Sequence, residues 1–522
     1  MKNNNVSLLP FQVKHANLVM DKIRENPNDL ILLEGKTGIG KTYMNAEIMR
    51  QLIESNPDRF LNFPGFSIIY LTKAPVVQQT REVLFKEFKL PADKIWVCNY
   101  DMMRATLGAM WIEWHKESTG EIDSEGNDIF VEFPLWIEAR KPRAIFADEC
   151  QALMNSGTQQ SKIMRSYVIQ GGQVIAASAT PAIKVAQFEF LTLGIRPYVP
   201  GWGKINKQTW PAFARSISGI KHDPNDYNAE AVKRLMFHLE HRIVHVKGVR
   251  FPVKAHNHCK LVDFDCEEDR KEYQEYYEKW LEELAKFDAD NANAKPIMVI
   301  NNKFMEGSEW IRSKYMAPLA IDIAHKQNKQ MILAFSFKKS LYRCKEALLK
   351  AGVSESEISI IIGGQTGKER ELNKNRYQTG KTRYLLMTLK SGGVGLSLDH
   401  NEKNKDVALP RHILLPLPWS AIVLVQGLGR AIRLKTVSDV YQDCVGFRNT
   451  VEEWNVIPAL EKKFKCLGEV VGKKESWVGL MANRLDLDKL EDLKRLVNSE
   501  FVEEDENGAE EEFDSEAIEI GE

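Results

Sequence analysis

Residues 29–42 leave little freedom for the fold around them. A short apolar run, Asp29-Leu30-Ile31-Leu32-Leu33-Glu34, leads directly into Gly35-Lys36-Thr37-Gly38-Ile39-Gly40-Lys41-Thr42, and Ala46-Glu47-Ile48-Met49-Arg50 continues on a helix-compatible pattern. Strand, glycine turn and helix in that order build an anion cradle, because the turn and the first helical turn aim backbone N–H groups at one point. Gly35, Gly38 and Gly40 permit the tight turn. Lys41 reaches outer phosphates and the Thr42 hydroxyl can ligate magnesium.

Further strand candidates alternate with longer amphipathic stretches. In the first part of the chain they are 67–71, 94–98, 144–147 and 173–177, which predicts a mostly parallel α/β domain over residues 1–195. Residues 196–290 differ, opening with proline, glycine and tryptophan between Pro197 and Pro211 and closing with a charged helix candidate, Glu267 to Phe287. They read as an extension of the first lobe and the route into the second, with Asp288 to Ala294 as an exposed turn. A second alternating pattern over 291–468 has strand candidates at 331–335, 358–362, 383–387, 412–415 and 437–441. A short helical appendage at 469–500, with Leu485, Leu490 and Leu493 as anchors, precedes an acidic, disordered tail at 501–522.

A chain of 522 residues exceeds what one hydrophobic core usually supports, so two to four domains are expected. No signal-peptide pattern and no long apolar run occur, which predicts an intracellular protein with no membrane partner. Nuclear, nucleoid and cytoplasmic sites are not distinguished, and a virus or phage is one open source. The seven cysteines lack paired metal-ligand spacing, and neither Cys150 nor the group His256, His258 and Cys259 makes a zinc pattern. The net charge of -1 hides an asymmetry: residues 503–522 hold 11 acidic and no basic residues, leaving a mildly basic body suited to a polyanion. The tail either keeps the chain soluble or competes for the basic groove.

Asp148-Glu149-Cys150-Gln151 follows the apolar strand 144–147. Asp148 at a strand end can hold magnesium, and Glu149 can polarise the water that attacks a γ-phosphoryl group. Gln12 could bond an adenine edge, or be an ordinary residue beside a packed Phe11. Late in the chain, Gln426-Gly427-Leu428-Gly429-Arg430-Ala431-Ile432-Arg433 would place Gln426, Arg430 and Arg433 on one helix face, where guanidinium groups suit phosphate contact. The alternative is a solvated basic face, which the apolar run from Ile422 to Leu428 argues against.

Taken together, Gln12, Lys41 and Thr42, Asp148-Glu149, Ser178-Ala179-Thr180 and Gln426 to Arg433 resemble the ordered motifs of superfamily 2 helicases and translocases. The resemblance covers roughly residues 8–450. Tyr384 to Leu396 and Leu417-Pro418-Trp419-Ser420 look most like the Swi2/Snf2-type duplex DNA translocases and the related strawberry-notch proteins. It implies two RecA-like phosphate-loop domains with parallel sheets, ATP and Mg2+ as cofactors, and nucleic acid lying across both domains. By motif it implies strand contacts at Thr72, Lys73, Asn99, Tyr100 and Ser336. Ser178, Thr180, Thr388, Gly392 and Gly393 would couple nucleic acid to hydrolysis, with Gly395 toward the nucleotide. Gln151 departs from the His common at the fourth position of the acidic motif.

The expected function is an ATP-dependent motor moving along double-stranded DNA, holding phosphates without sequence choice. Open alternatives are a strand-separating DNA or RNA helicase and a non-enzymatic, nucleotide-gated scaffold. No segment declares itself a strand-separating pin. Trp111 and Trp114 are either stacking groups or packing contacts, and protein partners would use the middle extension or the tail.

Overall fold

The computed structural model describes residues 6–25, 27, 30–105, 108–122, 126–155, 158–192, 212, 215–216, 226–247, 249–289, 297–389 and 396–471. The chain divides into two compact units, with the change falling between Val249 and Arg250. Each unit is built on one parallel sheet, as a RecA-like domain is.

The first unit has β1 (Leu30–Glu34), β2 (Ile68–Thr72), β3 (Ile95–Asn99), β4 (Ile112–Ile122), β5 (Asp128–Trp136), β6 (Ala144–Asp148), β7 (Gln173–Ser178) and β8 (Ile243–His245). Six of these form a sheet in the order β3-β2-β6-β7-β1-β8. β1, β2, β6 and β7 are buried at every position, which is why they read as unbroken apolar runs rather than alternating ones. Register brings the functional ends together: Glu34 lies opposite Ser178, and Asp148 opposite Ala177. The carboxyl ends of β1, β6 and β7 therefore meet at one edge, where ligands of parallel sheets bind.

β4 and β5 form a separate antiparallel hairpin inside the stretch 101–140, an element the sequence does not announce. Its base is anchored by Trp136, whose indole donates to the Ile163 carbonyl at 3.0 Å and packs edge-on against Tyr167. Trp111 is a packing residue, buried and edge-on to Trp96, whereas Trp114 is 40% exposed on the hairpin.

The second unit has β9 (Ala255–Val262), β10 (Gln330–Phe335), β11 (Ile358–Ile361), β12 (Tyr384–Thr388), β13 (Arg411–Pro416) and β14 (Val440–Phe447), in the order β11-β12-β10-β13-β14-β9. All of these pairings are parallel. The helix Ile297–Lys326 supplies Met316, Ala317, Ala320 and Ala324 to a core shared with Leu333, Phe335 and Leu386. The helix Glu267–Ala289 packs Tyr273, Trp280 and Leu284 against Phe304 and Phe447.

The stretch 196–290, set apart in the sequence, is thus divided between the sheets: β8 completes the first and β9 the second. The strand expected at 437–441 begins at Val440 and runs on to Phe447. Gln442 and Asp443 interrupt its apolar pattern, and both are buried with polar partners. A final helix covers Ile457–Val471. The rest of the expected appendage, the acidic tail and all of Pro197 to Pro211 lie outside the described residues. Among the described residues no helix is long and apolar enough to cross a membrane, and no His, Cys, Asp and Glu group could hold a metal ion by itself.

Candidate nucleotide site and coupling loops

β1 delivers the chain into a turn in which Gly38 and Gly40 take φ of 83° and 82°, the left-handed region that glycine enters without strain. Gly40 then caps the helix Lys41–Ser55. A side chain at Gly35 would bring Cβ within 2.5 Å of Ile39 Cδ1, and one at Gly40 within 2.5 Å of Gln12 Nε2. Gly35 is favoured by the close approach of Ile39 and Val246, and Gly40 by its backbone shape as well as by the approach of Gln12. Lys41 is buried, and its ammonium donates to the carbonyls of Gly35 at 2.9 Å and Lys36 at 3.2 Å. The cradle holds a cation poised over a helix N-terminus, a fit for a polyphosphate.

Gln12 is no ordinary surface residue: it is 6% exposed. Its Nε2 donates to Ile39 O at 3.0 Å and its Oε1 accepts from Leu9 N at 2.9 Å, clamping the first helix to the phosphate loop.

The Asp148 carboxylate lies at the end of β6, 8% exposed. It accepts from Tyr70 Oη at 3.0 Å and from the Glu149 amide at 3.1 Å, while Tyr100 Oη donates to its backbone carbonyl at 2.9 Å. Burial and then the adjacent Glu149 push its carboxyl up to about 6, with Lys41 pulling the other way. Such a carboxylate is costly to ionise when no cation is near, which favours taking one up. Glu149 holds φ 56° and ψ 50°, a left-handed conformation that costs a non-glycine residue on the order of 1 kcal/mol. Cys150 is fully buried, and burial raises its thiol far above the ordinary range.

Gln151 donates to Glu149 Oε2 at 2.8 Å and accepts from Ser178 Oγ at 2.7 Å, and Ser178 Oγ accepts from the Thr180 amide at 3.0 Å. A chain of polar contacts therefore joins the acidic strand end to the Ser178-Ala179-Thr180 loop. The residue that departs from the expected His is the bridge within this unit. Sequence reasoning also missed Tyr70, whose hydroxyl accepts from Asn45 at 3.3 Å as well as donating to Asp148.

Of the expected strand contacts in this unit, Thr72 is fully buried and Lys73 is partly exposed. Asn99 accepts from the Met102 amide at 2.7 Å. Tyr100 is 6% exposed, and its hydroxyl is spent on Asp148.

In the second unit the loops after the strands gather at the sheet's carboxyl edge, since Phe335 lies opposite Thr388 and Pro416 opposite Val445. The Ser336 amide donates to both oxygens of Glu309 at 3.0 and 3.1 Å, and Phe337 N donates to the same carboxylate at 3.0 Å. Burial raises the Glu309 carboxyl. Arg312, fully buried, donates to Glu452 at 2.6 Å and to the carbonyls of Leu417 and Val445, tying together the loops after β13 and β14. Thr388 ends β12 and is buried; Gly392, Gly393 and Gly395 lie outside the described residues.

Gln426, Arg430 and Arg433 do not share a helix face. The helix ends at Leu428 with Gly429 as its cap, and both arginines lie in the turn beyond it. Glycines at 427 and 429 weaken helix continuation there. Arg430 is 2% exposed. Arg433 donates to Gly429 O at 2.7 Å, Leu396 O at 3.0 Å and Ser397 Oγ at 3.3 Å, fastening the turn to the segment after β12.

Residues 314–435 match the family model described as the helicase conserved C-terminal domain. A protein of Acanthamoeba polyphaga mimivirus, provisionally described as an ATP-dependent RNA helicase, is 22% identical over 497 residues, covering 89% of this chain and 84% of the viral protein. With two parallel sheets and a phosphate loop, these matches support a superfamily 2 helicase-like ATPase fold.

Proposed function

We propose that this chain is an ATP-hydrolysing motor that separates or strips nucleic-acid strands. The observation that carries the reading is the polar chain Thr180–Ser178–Gln151–Glu149, which ends at the acidic pair beside the phosphate loop. Lys41 and the loop amides would hold phosphates, Thr42 and Asp148 would hold Mg2+, and Gln12 steadies the loop through Ile39 O. Magnesium, when bound, would supply charge neutralisation for phosphoryl transfer. Glu149 orients and deprotonates the attacking water, and its strained backbone aims the carboxylate. Arg430 and Arg433 are the phosphate-contacting arginines of the motif that residues 426–433 resemble.

Lys73, Asn99 and Ser336 hold the sugar-phosphate backbone, and the buried Thr72, Ser178, Thr180 and Thr388 act behind them, Ser178 and Thr180 through Gln151 to Glu149. Strand separation is favoured by the helicase description of the viral relative, which also supports a viral source. Translocation along duplex DNA without separation is the second reading, favoured by Leu417-Pro418-Trp419-Ser420.

A forked DNA, a forked RNA and a DNA triplex, each with one labelled strand, distinguish these. ATP-dependent opening of either fork is the expected result. Release of the third strand with both forks intact would instead establish the duplex translocase. Absence of all three activities, with no ATP turnover, would leave only a nucleotide-gated scaffold.

A further inference from the structure

A cavity of about 260 Å³ opens in the second unit just beyond the carboxyl ends of β9 and β14, whose last residues Val262 and Phe447 are in register. No motif of the sequence points to it. Its walls are aromatic: Phe264, Tyr273, Tyr277 and Trp454 line it, with Arg270 and Arg448 at the same opening. Phe264 is held flat against Phe447 at a centroid distance of 4.2 Å and an angle of 17°, so this wall is rigid before anything binds.

Three observations specify the occupant. Flat aromatic faces with guanidinium groups at the mouth match a planar ring carrying phosphate neighbours, since stacking serves any base and arginine suits phosphate. The volume lies just under the usual small-molecule range, enough for one ring system. Tyr273 is 5% exposed, and its hydroxyl lies beside Thr450, whose own proton goes to Phe447 O at 2.8 Å, so the buried end of the cavity is polar. A buried polar end of this kind suits a polar ring edge.

Arg448 lies 3.4 Å from Asp263 and its side chain is 50% exposed, so it can turn outward to a phosphate while Asp263 stays in solvent. Ring contacts also lead from the cavity wall toward the loop after β13. Tyr277 packs on Trp280 at 5.9 Å, and Trp280 on Trp419, from the loop after β13, at 6.2 Å.

We infer that this cavity receives one unstacked nucleobase of a single-stranded nucleic acid held along the carboxyl edge of the second sheet. Tyr277 and Trp454 form the stacking platform, and Arg448 and Arg270 hold the flanking phosphates. The inference rests on the nucleic-acid-motor reading and deepens it.

The test is photocrosslinking of the full chain to short single strands carrying 5-iodouracil at each position in turn, in deoxyribose and ribose forms, with the adducts mapped by mass spectrometry. Affinities are measured beside it for Tyr277→Leu and for Arg448→Ala, the latter at an exposed residue whose loss does not threaten folding. Crosslinks at Tyr277 or Trp454, and a loss of affinity of about 5- to 50-fold in Tyr277→Leu, are expected. Tight binding that survives both changes, with adducts confined to other residues, would reject the pocket and leave the motor reading standing. No binding of any strand, with no nucleic-acid-stimulated ATP turnover, would overturn both.

Discussion

Gln151 joins the acidic pair to the Ser178 loop through two short contacts, 2.8 Å to Glu149 and 2.7 Å from Ser178. Replacing it by Leu keeps its volume and removes both. Turnover of ATP should fall about 10- to 100-fold, the scale of a misplaced catalytic group, with nucleotide affinity within about 3-fold of the original. Steady-state kinetics beside equilibrium binding of a fluorescent nucleotide check this; an equal loss in both would make Gln151 a structural residue. At this scale the sequence is most informative where chemistry forbids substitutes. Gly35, Gly38, Gly40 and Lys41 stand out because a tight anion turn admits few other residues. The roles of Tyr70 and Tyr100 do not: motif resemblance sets Tyr100 among strand contacts, and nothing in the pattern says that both hydroxyls are spent on Asp148.

Strand β14 carries the polar interior that hid its full length. Asp443 is 1% exposed in its side chain, and faces His412 at 2.8 Å and Lys260 at 2.7 Å. Burial alone would raise its carboxyl, but His412 and Lys260 outweigh it and hold it at about 2. An unfolded Asp titrates near 4, so the ionised form stabilises the fold above about pH 4, and that contribution is lost as pH falls toward 2. Asp443→Asn should therefore cost roughly 2 kcal/mol at pH 7 and flatten the acid limb below about pH 4, read from urea midpoints across pH. An unchanged acid limb would contradict the pairing. Glu452→Leu leaves the Arg312 guanidinium buried without its carboxylate, and should destabilise the second unit by roughly 3–5 kcal/mol. Proteolysis within 417–420 or 447–451 should accelerate, because these loops lose their common anchor. Most of the parallel strands were legible as apolar runs, whereas the three-residue β8, the β4–β5 hairpin and the edge strand β9 were not. None carries a long buried apolar run, and β9 becomes a strand only through its partner β14.

Across the whole molecule, the glycine loop and acidic pair lie in the first of two parallel-sheet units, and residues 314–435, which match the helicase C-terminal model, lie in the second. A basic body of this kind should bind nucleic acid through phosphates, so affinity is expected to fall linearly in a plot of log affinity against log salt, with little dependence on base sequence. A flat salt response in a fluorescence anisotropy series would argue for recognition by shape or by bases alone. The division into two units was legible in the motif order, but the turn that carries Arg430 and Arg433 was not, since helical spacing alone cannot reveal a cap at Gly429. The most direct test is the rate of phosphate release by the full chain with single-stranded DNA, duplex DNA and RNA side by side, each repeated with Lys41→Ala. Stimulation by at least one polymer, abolished in Lys41→Ala, is the predicted result; turnover that no polymer stimulates, or that survives in Lys41→Ala, would contradict it.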